Sequence, residues 1–176
     1  MNETLQLTER LVLRAPELRD ACAFFEIHGD PQTNLYNPAG PDPSLEYSLS
    51  RLHDWLAHWR THGFGYWTVA TQPDPETIIG FGGLRYRQIA GLTRLNLYFR
   101  LRPAAWGQGY ANEIGHAALT LGFDCLKQPQ VWATVRPENL PSIHAIERLG
   151  LRHNSDEFDE YGRNQLYFRD RPTSQK

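Results

Sequence analysis

The sequence predicts a single domain of the mixed α/β (α+β) class, spanning residues 1–176. A chain of 176 residues is long enough for one ordinary domain with a sizeable core. Hydrophobic residues make up 40% and charged residues 22%, which is the balance of a globular chain and not of a disordered one. Segments with an apolar period of two alternate with segments of helical period, in the order βαα-βββ-α-β-α-β. We find no internal repeat and no linker, so these elements are expected to share one core.

Charge, apolar runs and cysteine content limit the possible partners and the compartment of the protein. The formal net charge is -2, which gives no sign of a nucleic-acid or anionic-membrane surface. No apolar run reaches the length of roughly 18 residues needed for a membrane span, and the first ten residues lack the basic and apolar regions of a signal peptide. Cys22 and Cys125 have no CxxC spacing, so we expect free, buried thiols in a reducing compartment. These features predict a cytoplasmic protein.

The N-terminal third is expected to contain one strand and two helices. Residues 5–13 alternate as a first strand, and Pro16 suits the first position of a helix with Leu18, Cys22 and Phe25 on one face. After a loop rich in proline and glycine, Asp42 and Pro43 are expected to cap and begin a second helix. Its apolar stripe recurs every three or four residues, at Leu45, Leu49, Leu52, Leu56 and Trp59.

Two histidines on this second helix have a spacing that could ligate a metal. His58 and His62 are four residues apart and therefore share one helix face. No third ligand lies nearby, so a solvated face is the favoured interpretation, and we expect no metal. Gly63 and Gly65 are expected to end the helix.

The middle of the chain is expected to form three strands. Residues 66–70 and 78–84 are rich in β-formers and are separated by a predicted hairpin loop at 72–76. Glycines in the second strand indicate a bulge or a close approach of another backbone. After a predicted turn at 88–93, the third strand covers 95–101, and Pro103 ends it because proline offers no N–H to a sheet ladder.

A glycine turn and an amphipathic helix follow this third strand directly. Gly107 and Gly109 precede an apolar stripe that recurs at helical spacing, at Ala111, Ile114, Ala118 and Leu121. The unpaired N–H groups and the dipole of a helix start favour a bound anion, most often a phosphate. The same pattern also fits a tight turn without a ligand. Neither the P-loop nor the dinucleotide fingerprint is completed here.

The C-terminal part is expected to contain a strand, a helix and a last strand. Val131, Ala133 and Val135 alternate as a buried strand. Asn139 suits a helix N-cap, and Gly150 suits the left-handed exit of that helix. Residues 154–160 are expected to form a polar turn before a final strand at 165–169.

The segment from the third strand into the central helix resembles the acetyl-CoA-binding motif of the GNAT N-acetyltransferases, in the RimJ/RimL-like branch of ribosomal-protein N-terminal acetyltransferases. That branch typically has L-x-P-x-x-W-G-x-G-Y-A-x-E, which is matched here by Leu101, Pro103, Trp106, Gly107, Gly109, Tyr110, Ala111 and Glu113. Ala104 stands where the general GNAT motif has Gln or Arg. Three further stretches resemble the branch, namely T-x-R-L-x-L-R at 8–14, I-G-x-x-G-L at 79–84 and N-x-x-S at 139–142. The resemblance implies a mostly antiparallel sheet, flanked by helices and splayed between the fourth and fifth predicted strands.

The resemblance also implies a site. Acetyl-CoA would be the co-substrate and an amine the acceptor, with no metal, and a homodimer is possible in this branch. The coenzyme A pyrophosphate would be cradled by backbone N–H groups of Trp106, Gly107, Gln108, Gly109, Tyr110 and Ala111. Backbone groups from Phe99 to Leu101 would face the thioester. Asn139 would bind the pantetheine arm or only cap its helix, and Ser142 would either donate to the leaving sulfur or only hold the helix start and the cofactor.

Two positions depart from the catalytic pattern of the wider family. Many GNAT enzymes have a tyrosine where this chain has Ile146, and a strand glutamate where it has Asn96. Glu113 and Glu138 match or border motifs of the family, but both are as readily structural or solvent-facing as catalytic, so the general base stays open. A protein α-amine, with a pKa near 8, is already about a tenth neutral at pH 7, and ordered water could take its proton. The expected activity is N-acetyl transfer to a primary amine by direct attack, with acceptor choice set by the first two helices and the 34–43 loop. A non-catalytic module that binds acyl-CoA is the alternative.

Overall fold

Eight strands form one mixed sheet in the computed structural model, which describes residues 5–172. The strands are β1 (Leu5–Leu7), β2 (Leu11–Arg14), β3 (Tyr66–Thr71), β4 (Asp74–Ile89), β5 (Leu92–Leu101), β6 (Gln130–Val135), β7 (Arg152–Asp159) and β8 (Gly162–Asp170). The α-helices are α1 (Ala21–His28), α2 (Leu45–His62), α3 (Tyr110–Thr120) and α4 (Leu140–Arg148). The fold class and the central order of elements predicted from the sequence are confirmed.

The sheet separates at one place, between β5 and β6. Strand order is β1-β2-β3-β4-β5-β6-β8-β7. Every pairing in the described chain is antiparallel except that of β5 with β6, which is parallel and rests on a single bridge, Asn96 to Trp132. Beyond that bridge β5 continues to Leu101 while β6 continues to Val135. The predicted splay between these two strands is confirmed, and it leaves an opening in the middle of the sheet.

Helices cover both faces of the sheet. On one face α3 and α4 pack on the odd-numbered residues of β5, in a core that includes Leu97, Ile114 and Leu149. On the other face α1 and α2 pack over a second core that includes Phe24, Trp55 and Phe81. The opening between β5 and β6 therefore connects the α1/α2 face with the α3/α4 face.

The glycines of β4 allow close contact with β5. A Cβ atom at Gly80 would lie 2.5 Å from the Arg100 carbonyl oxygen. A side chain would therefore push the two strands apart at the level where β5 borders the opening. The expectation of a close backbone approach at these glycines is confirmed.

The N-terminal elements differ from expectation in detail. The predicted first strand is a hairpin of two strands, β1 and β2, closed by a turn in which the Thr8 N–H donates to the Leu11 carbonyl (3.0 Å). A 3₁₀ turn at Leu18–Asp20 precedes α1 and rotates its buried face away from the predicted one. Phe24, Ile27 and His28 are the buried residues of α1. The expectation of buried thiols is wrong, because Cys22 and Cys125 are both exposed, although both are free.

The second helix begins two residues later than expected and buries a different stripe. Ser44 is its N-cap and accepts from the Tyr47 N–H (3.2 Å), because Asp42 instead binds Ser48 and Arg51. The buried positions are Ser48, Leu52, Trp55 and His58, while Leu45 is exposed. Gly63 ends the helix in a left-handed conformation as expected (φ 74°).

Four further expectations, three on the sheet and one on His58, are corrected. The loops at 72–76 and 88–93 are two-residue turns, because Thr71 pairs with Asp74 and Ile89 pairs with Leu92. The segment expected as a polar turn at 154–160 is mostly strand β7, which pairs with β8 at the sheet edge. His58 is buried and not solvated: its Nδ1 lies 2.9 Å from the Phe64 carbonyl, and its Nε2 accepts from the Tyr86 N–H (3.2 Å).

Candidate active site

The backbone of β5 presents unpaired groups to the opening. The Arg102 N–H donates to the Ile79 carbonyl (2.8 Å), and antiparallel pairs alternate, so even-numbered residues of β5 hydrogen-bond to β4. The N–H and C=O groups of Phe99 and Leu101 therefore point away from β4, toward β6. No bridge joins β6 to β5 at this level of the described chain. The two residues predicted to face a thioester thus have backbone groups directed into the opening.

Trp106 connects the end of β5 to the glycine turn. Its indole Nε1 donates to the Leu101 carbonyl (2.8 Å), and its own N–H donates to the Pro103 carbonyl (3.0 Å). The Trp106 N–H is thus already used within the turn. Of the predicted cradle, the groups from Gly107 onward are the ones open to an anion.

The turn after Trp106 exposes a run of backbone donors at the start of α3. Gly107 and Gly109 are both left-handed, with φ of 72° and 80°. Within residues 5–172, no acceptor is found for the N–H groups of Gly107, Gln108 and Gly109. Tyr110 and Ala111 occupy the first two helical positions, whose N–H groups have no partner inside a helix. Five consecutive donors and the positive end of a helix dipole make this turn suited to a phosphate.

A clasp between Arg10, Thr8 and Glu113 holds this turn against the N-terminal hairpin. Glu113 Oε1 accepts from Thr8 Oγ1 (2.5 Å) and from the Arg10 N–H (2.7 Å), and Oε2 accepts from Arg10 Nε (2.8 Å). Arg10 Nη1 also donates to the Gln108 carbonyl (2.9 Å). Desolvation raises the pKa of Glu113, but the bonds from Thr8 and Arg10 outweigh it, and the pKa lies below its ordinary value. Glu113 is therefore a structural anion at the start of α3.

The start of α4 lies at the end of β6, across the opening from β5. Asn139 caps the helix, because its Oδ1 accepts from the Ser142 N–H (3.2 Å). The Asn139 amide N–H₂ and the Ser142 hydroxyl have no partner in the described chain, and both residues are partly exposed. Ile146, one helical turn beyond Ser142, is buried. The structure thus shows the capping role of Asn139, and the cofactor roles of Asn139 and Ser142 stay predictions.

Asn96 is buried beneath the opening. Only 2% of it is exposed, and its amide nitrogen donates to the Tyr66 hydroxyl (2.9 Å). Its Oδ1 and the Nε of Arg85, its cross-strand partner, are buried without a partner. Burial raises the pKa of Tyr66, so this hydroxyl stays protonated. The hydrogen-bonded side chains of Asn96 and Tyr66 are therefore fixed and uncharged, and Asn96 stands where a carboxylate is common in the wider family.

A cleft lies beside the start of α4, on the side of the α1–α2 loop. Its volume is about 250 Å³, and it is lined by Leu35, Tyr36, Pro38, Arg136, Glu138, Tyr161 and Arg163. Three of these residues belong to the 34–43 loop, which was expected to border the acceptor, and Arg136 and Glu138 immediately precede Asn139. Arg136 is paired with Asp159 (2.7 Å). The cleft is therefore positioned to receive a molecule that reaches toward the opening.

Sequence reasoning missed two polar contacts on the α1/α2 face. His28 Nε2 lies 2.9 Å from the Tyr98 hydroxyl, and Arg100 Nη1 donates to Asn34 Oδ1 (2.6 Å). The alternation of polar residues at 96, 98 and 100 predicts that these three side chains share one face of β5. No sequence pattern predicts their contacts with His28 and Asn34, because these partners lie about 70 residues earlier in the chain. Within residues 5–172, no group of three metal-ligating side chains is found, and no helix could cross a membrane.

Comparison with known proteins assigns the family. The profile described as "Acetyltransferase (GNAT) domain" matches residues 10–152. An uncharacterized N-acetyltransferase, p20, of Bacillus licheniformis is 28% identical over 153 residues, covering 85% of this chain and 83% of that protein. A GNAT-family acetyltransferase structure from Bordetella pertussis superposes with a TM-score of 0.80 at 23% identity, covering 94% of this chain and 98% of the other.

A second solved structure has the same fold and contains coenzyme A. It is the spermidine N-acetyltransferase from Vibrio cholerae in complex with CoA and spermine, with a TM-score of 0.74 at 20% identity, over 92% of this chain and 95% of the other. At this identity the likeness shows the shared fold. The family profile covers most of the chain, including β2 to α4 and the glycine turn. The chain therefore belongs to the GNAT acetyltransferase domain family and is an acyltransferase.

Proposed function

We propose that the chain moves an acetyl group from acetyl-CoA to a primary amine, by direct attack in a ternary complex. The observation that carries the proposal is the run of free N–H groups from Gly107 to Ala111, next to the opening in the sheet. Family membership and the coenzyme A complex of the spermidine enzyme support the choice of cofactor. The RimJ/RimL-like motifs at 8–14 and 101–113 support placement in that branch.

Three groups of residues fit three parts of coenzyme A. The glycine turn supplies five consecutive N–H donors for a pyrophosphate. The N–H and C=O groups of Phe99 and the N–H of Leu101 supply a strand edge along which a pantetheine amide could pair, because the Leu101 carbonyl already accepts from Trp106 Nε1. The free amide N–H₂ of Asn139 and the hydroxyl of Ser142 supply further donors at the start of α4. The chain thus offers donors to the pyrophosphate, the arm and the thioester.

In the transfer, the amine nitrogen bonds to the acetyl carbonyl carbon and the C–S bond breaks. The amine loses one proton and the coenzyme A sulfur gains one. A backbone N–H of β5, at Phe99 or Leu101, would stabilise the carbonyl oxygen as it becomes negative. Ser142 would donate a hydrogen bond to the sulfur as its charge develops, since Ile146 cannot.

The ease of losing a proton favours an α-amine as the acceptor. The cleft offers Glu138, an acid without an ion-pair partner in the described chain, to a cationic amine, while its Arg136 and Arg163 are paired with Asp159 and Asp156. The α-amine of a peptide or amino acid has a pKa near 8, so it needs less help to lose its proton than a lysine amine near 10.4. We therefore propose a protein N-terminus or a small molecule with an α-amine as acceptor.

Calorimetry on two matched glycine variants tests the cofactor site. Gly109→Glu places a negative side chain at the start of α3, where φ is 80°. Gly63→Glu adds the same charge at a left-handed glycine (φ 74°) that ends α2 and has open space around it. Both variants carry a similar backbone cost, so their difference isolates the anion site. We expect acetyl-CoA binding to be largely lost in Gly109→Glu and retained in Gly63→Glu; equal affinity in both would refute the site.

The non-catalytic alternative requires a separate experiment. The chain has Ile146 and Asn96 where a tyrosine and a carboxylate are common in the wider family. A module that binds acyl-CoA without catalysis is therefore the alternative function. Acetyl transfer is measured against a panel of a peptide with a free N-terminus, a free amino acid, a lysine side chain on an N-blocked peptide, and spermidine. We expect turnover with the first two. Tight acetyl-CoA binding without transfer to any amine would favour the binding module.

A further inference from the structure

Two side chains from distant parts of the chain meet on the α1/α2 face beside the opening. His28 ends α1, and Tyr98 lies on β5. The imidazole Nε2 is 2.9 Å from the Tyr98 hydroxyl, and Nδ1 is 2.9 Å from the Phe24 carbonyl. The two rings are nearly parallel, at an interplanar angle of 9°. The contact therefore has defined geometry at both imidazole nitrogens.

The protons of this contact can be assigned. A carbonyl oxygen can only accept, so Nδ1 must carry the hydrogen that it shares with Phe24. Burial, and then the charges of Arg51 on α2 and Arg100 on β5, keep the pKa of His28 well below its ordinary value, so the ring is neutral. Nε2 is consequently a bare lone pair. The Tyr98 hydroxyl must donate to it, which leaves the lone pairs of the tyrosine oxygen for another donor.

Tyr98 stands where a substrate could supply that donor. It is two residues beyond Asn96, the last bridge between β5 and β6, and it is partly exposed while His28 is fully buried. It directly precedes Phe99, whose backbone faces the opening. On the same face of β5, Arg100 reaches Asn34, next to the loop that lines the cleft. Tyr98 thus lies between the cleft and the opening.

We propose that Tyr98 binds the attacking amine, accepting a hydrogen bond from one of its N–H groups, and that His28 is the positioning residue that keeps the tyrosine oxygen free to accept. The inference rests on the proposed acetyl transfer. An amine nitrogen held by Tyr98 lies next to Phe99 and therefore near the proposed thioester position. Since the neutral His28 holds the Tyr98 proton in a fixed direction, the oxygen is an acceptor before substrate arrives, and no reorganisation is needed on binding.

Tyr98→Phe tests the contact and retains the aromatic packing. The Tyr98 ring packs against Tyr66, with centroids 4.8 Å apart, and against Trp55 at 5.8 Å. Tyr66→Phe is the matched control, because it removes a hydroxyl from the same cluster that binds Asn96 and not the cleft side. We expect kcat/KM for the amine to fall about 5- to 30-fold in Tyr98→Phe, the loss of one hydrogen bond. The dissociation constant of acetyl-CoA should stay unchanged. Equal effects of the two variants, or a loss of acetyl-CoA affinity, would overturn the proposal.

A double-mutant cycle tests the role of His28. His28→Leu removes the acceptor, and His28→Gln can return one through its amide oxygen. If His28 acts through Tyr98, His28→Leu lowers kcat/KM for the amine several-fold in wild type and has little further effect on Tyr98→Phe. We also expect His28→Gln to recover part of the loss. Similar losses in both backgrounds, without recovery by glutamine, would show a structural role and exclude the positioning role.

The outcome is distinguishable from failure of the proposed function. If wild type binds acetyl-CoA but acetylates no amine, the acetyl-transfer proposal fails before any variant is compared. If wild type is active and Tyr98→Phe retains its kcat/KM within twofold, only the role of Tyr98 fails. Thermal unfolding of each variant shows whether it is folded under the assay conditions. The comparison of Tyr98→Phe with Tyr66→Phe then remains decisive even where His28→Leu does not fold.

Discussion

Arg10 and Glu113, 103 residues apart in the chain, form a salt bridge at the start of α3. Arg10 Nε and Nη2 approach the same carboxylate oxygen, at 2.8 and 2.7 Å. The Arg10 guanidinium also lies 4.7 Å from the centre of the Tyr110 ring and donates to the Gln108 carbonyl. One arginine thus connects the N-terminal hairpin to three positions of the turn and helix that supply the free N–H groups. The clasp fixes the direction in which those groups point.

Glu113→Gln is expected to loosen this clasp. The loss of charge-assisted bonds should cost about 1–2 kcal/mol of unfolding free energy, because Arg10 is half-exposed and water screens the pair. The pKa of Glu113 is lowered by folding, so its stabilisation is present above its ordinary value near 4.5 and is lost as pH falls through the folded value. Urea unfolding at pH 7 and pH 4 checks both effects. Glu9→Gln, a neighbouring acid outside the clasp, is the control; equal losses for both variants at pH 7 would contradict the prediction.

Elements with a clear period were predictable from the sequence, and the polar edge of the sheet was not. The strand at 95–101 and the helix after Gly109 carried both a period and a breaker, and both are found. Strand β7 has the sequence RHNSDEFD and is exposed on almost every residue. It forms a strand because it pairs with β8. A strand that is exposed on both faces shows no alternation of apolar and polar residues in its sequence. The sequence of this segment therefore predicts a turn.

The parts of the site carried by the backbone were predictable, whereas the side-chain contacts were not. The glycine turn follows from local sequence, because left-handed residues and a helix start are local features. His28 and His58 are buried in aromatic surroundings, and their burial depends on α1 and α2 packing on β4 and β5. A 3₁₀ turn before α1 also changed which residues of that helix face inward. Neither fact follows from helical period alone.

Trp106→Phe is expected to weaken cofactor binding without unfolding the chain. The substitution removes the indole donor to the Leu101 carbonyl, the bond that links the end of β5 to the glycine turn. Losing one neutral hydrogen bond costs about 1 kcal/mol, or roughly a fivefold rise in the acetyl-CoA dissociation constant. Trp132→Phe is the control, because its indole donates to Gln130 in β6 instead (3.2 Å). Calorimetric titration of both variants measures the difference, and an unchanged dissociation constant in Trp106→Phe would show that the turn is held by other contacts.

His58 is expected to make stability fall in mildly acidic solution. Desolvation is the largest cause that lowers its pKa from 6.5 to about 4. The bond to the Phe64 carbonyl opposes this shift, and the charges of His62 and Arg85 add to it. Protonation thus favours the unfolded chain, so the stabilisation is fully present above pH 6.5 and is lost as pH falls toward 4. The shift corresponds to at most about 3 kcal/mol. His28, whose pKa is also lowered, acts in the same direction.

His58→Gln should therefore flatten part of the pH dependence of unfolding. Chemical denaturation between pH 7 and pH 4.5 measures the slope. His53→Gln is the control, since His53 is an exposed histidine of the same helix. A slope that is reduced equally by both substitutions would mean that the exposed histidine contributes as much as the buried one, contrary to the prediction.

Ser142→Ala is expected to slow the chemical step of the proposed transfer. The N–H of Ser142, and not its hydroxyl, binds the Asn139 cap, so alanine leaves the start of α4 intact. The hydroxyl has no partner in the described chain and could donate to a sulfur that becomes negative as it leaves. Losing one such bond to a charged atom costs about 1.5–3 kcal/mol, which is on the order of ten- to a hundredfold in rate. Ser50→Ala, an exposed serine of α2, is the control.

The division between kcat and affinity identifies what Ser142 does. The sulfur carries charge only in the transition state, so kcat should fall while the acetyl-CoA dissociation constant stays nearly the same. If affinity falls as much as kcat, the hydroxyl binds the ground-state cofactor instead. If kcat stays within twofold of wild type, Ser142 serves only the start of α4, and the thiolate leaves without a side-chain donor. Steady-state kinetics with saturating amine, together with calorimetry of acetyl-CoA binding, separates the three outcomes.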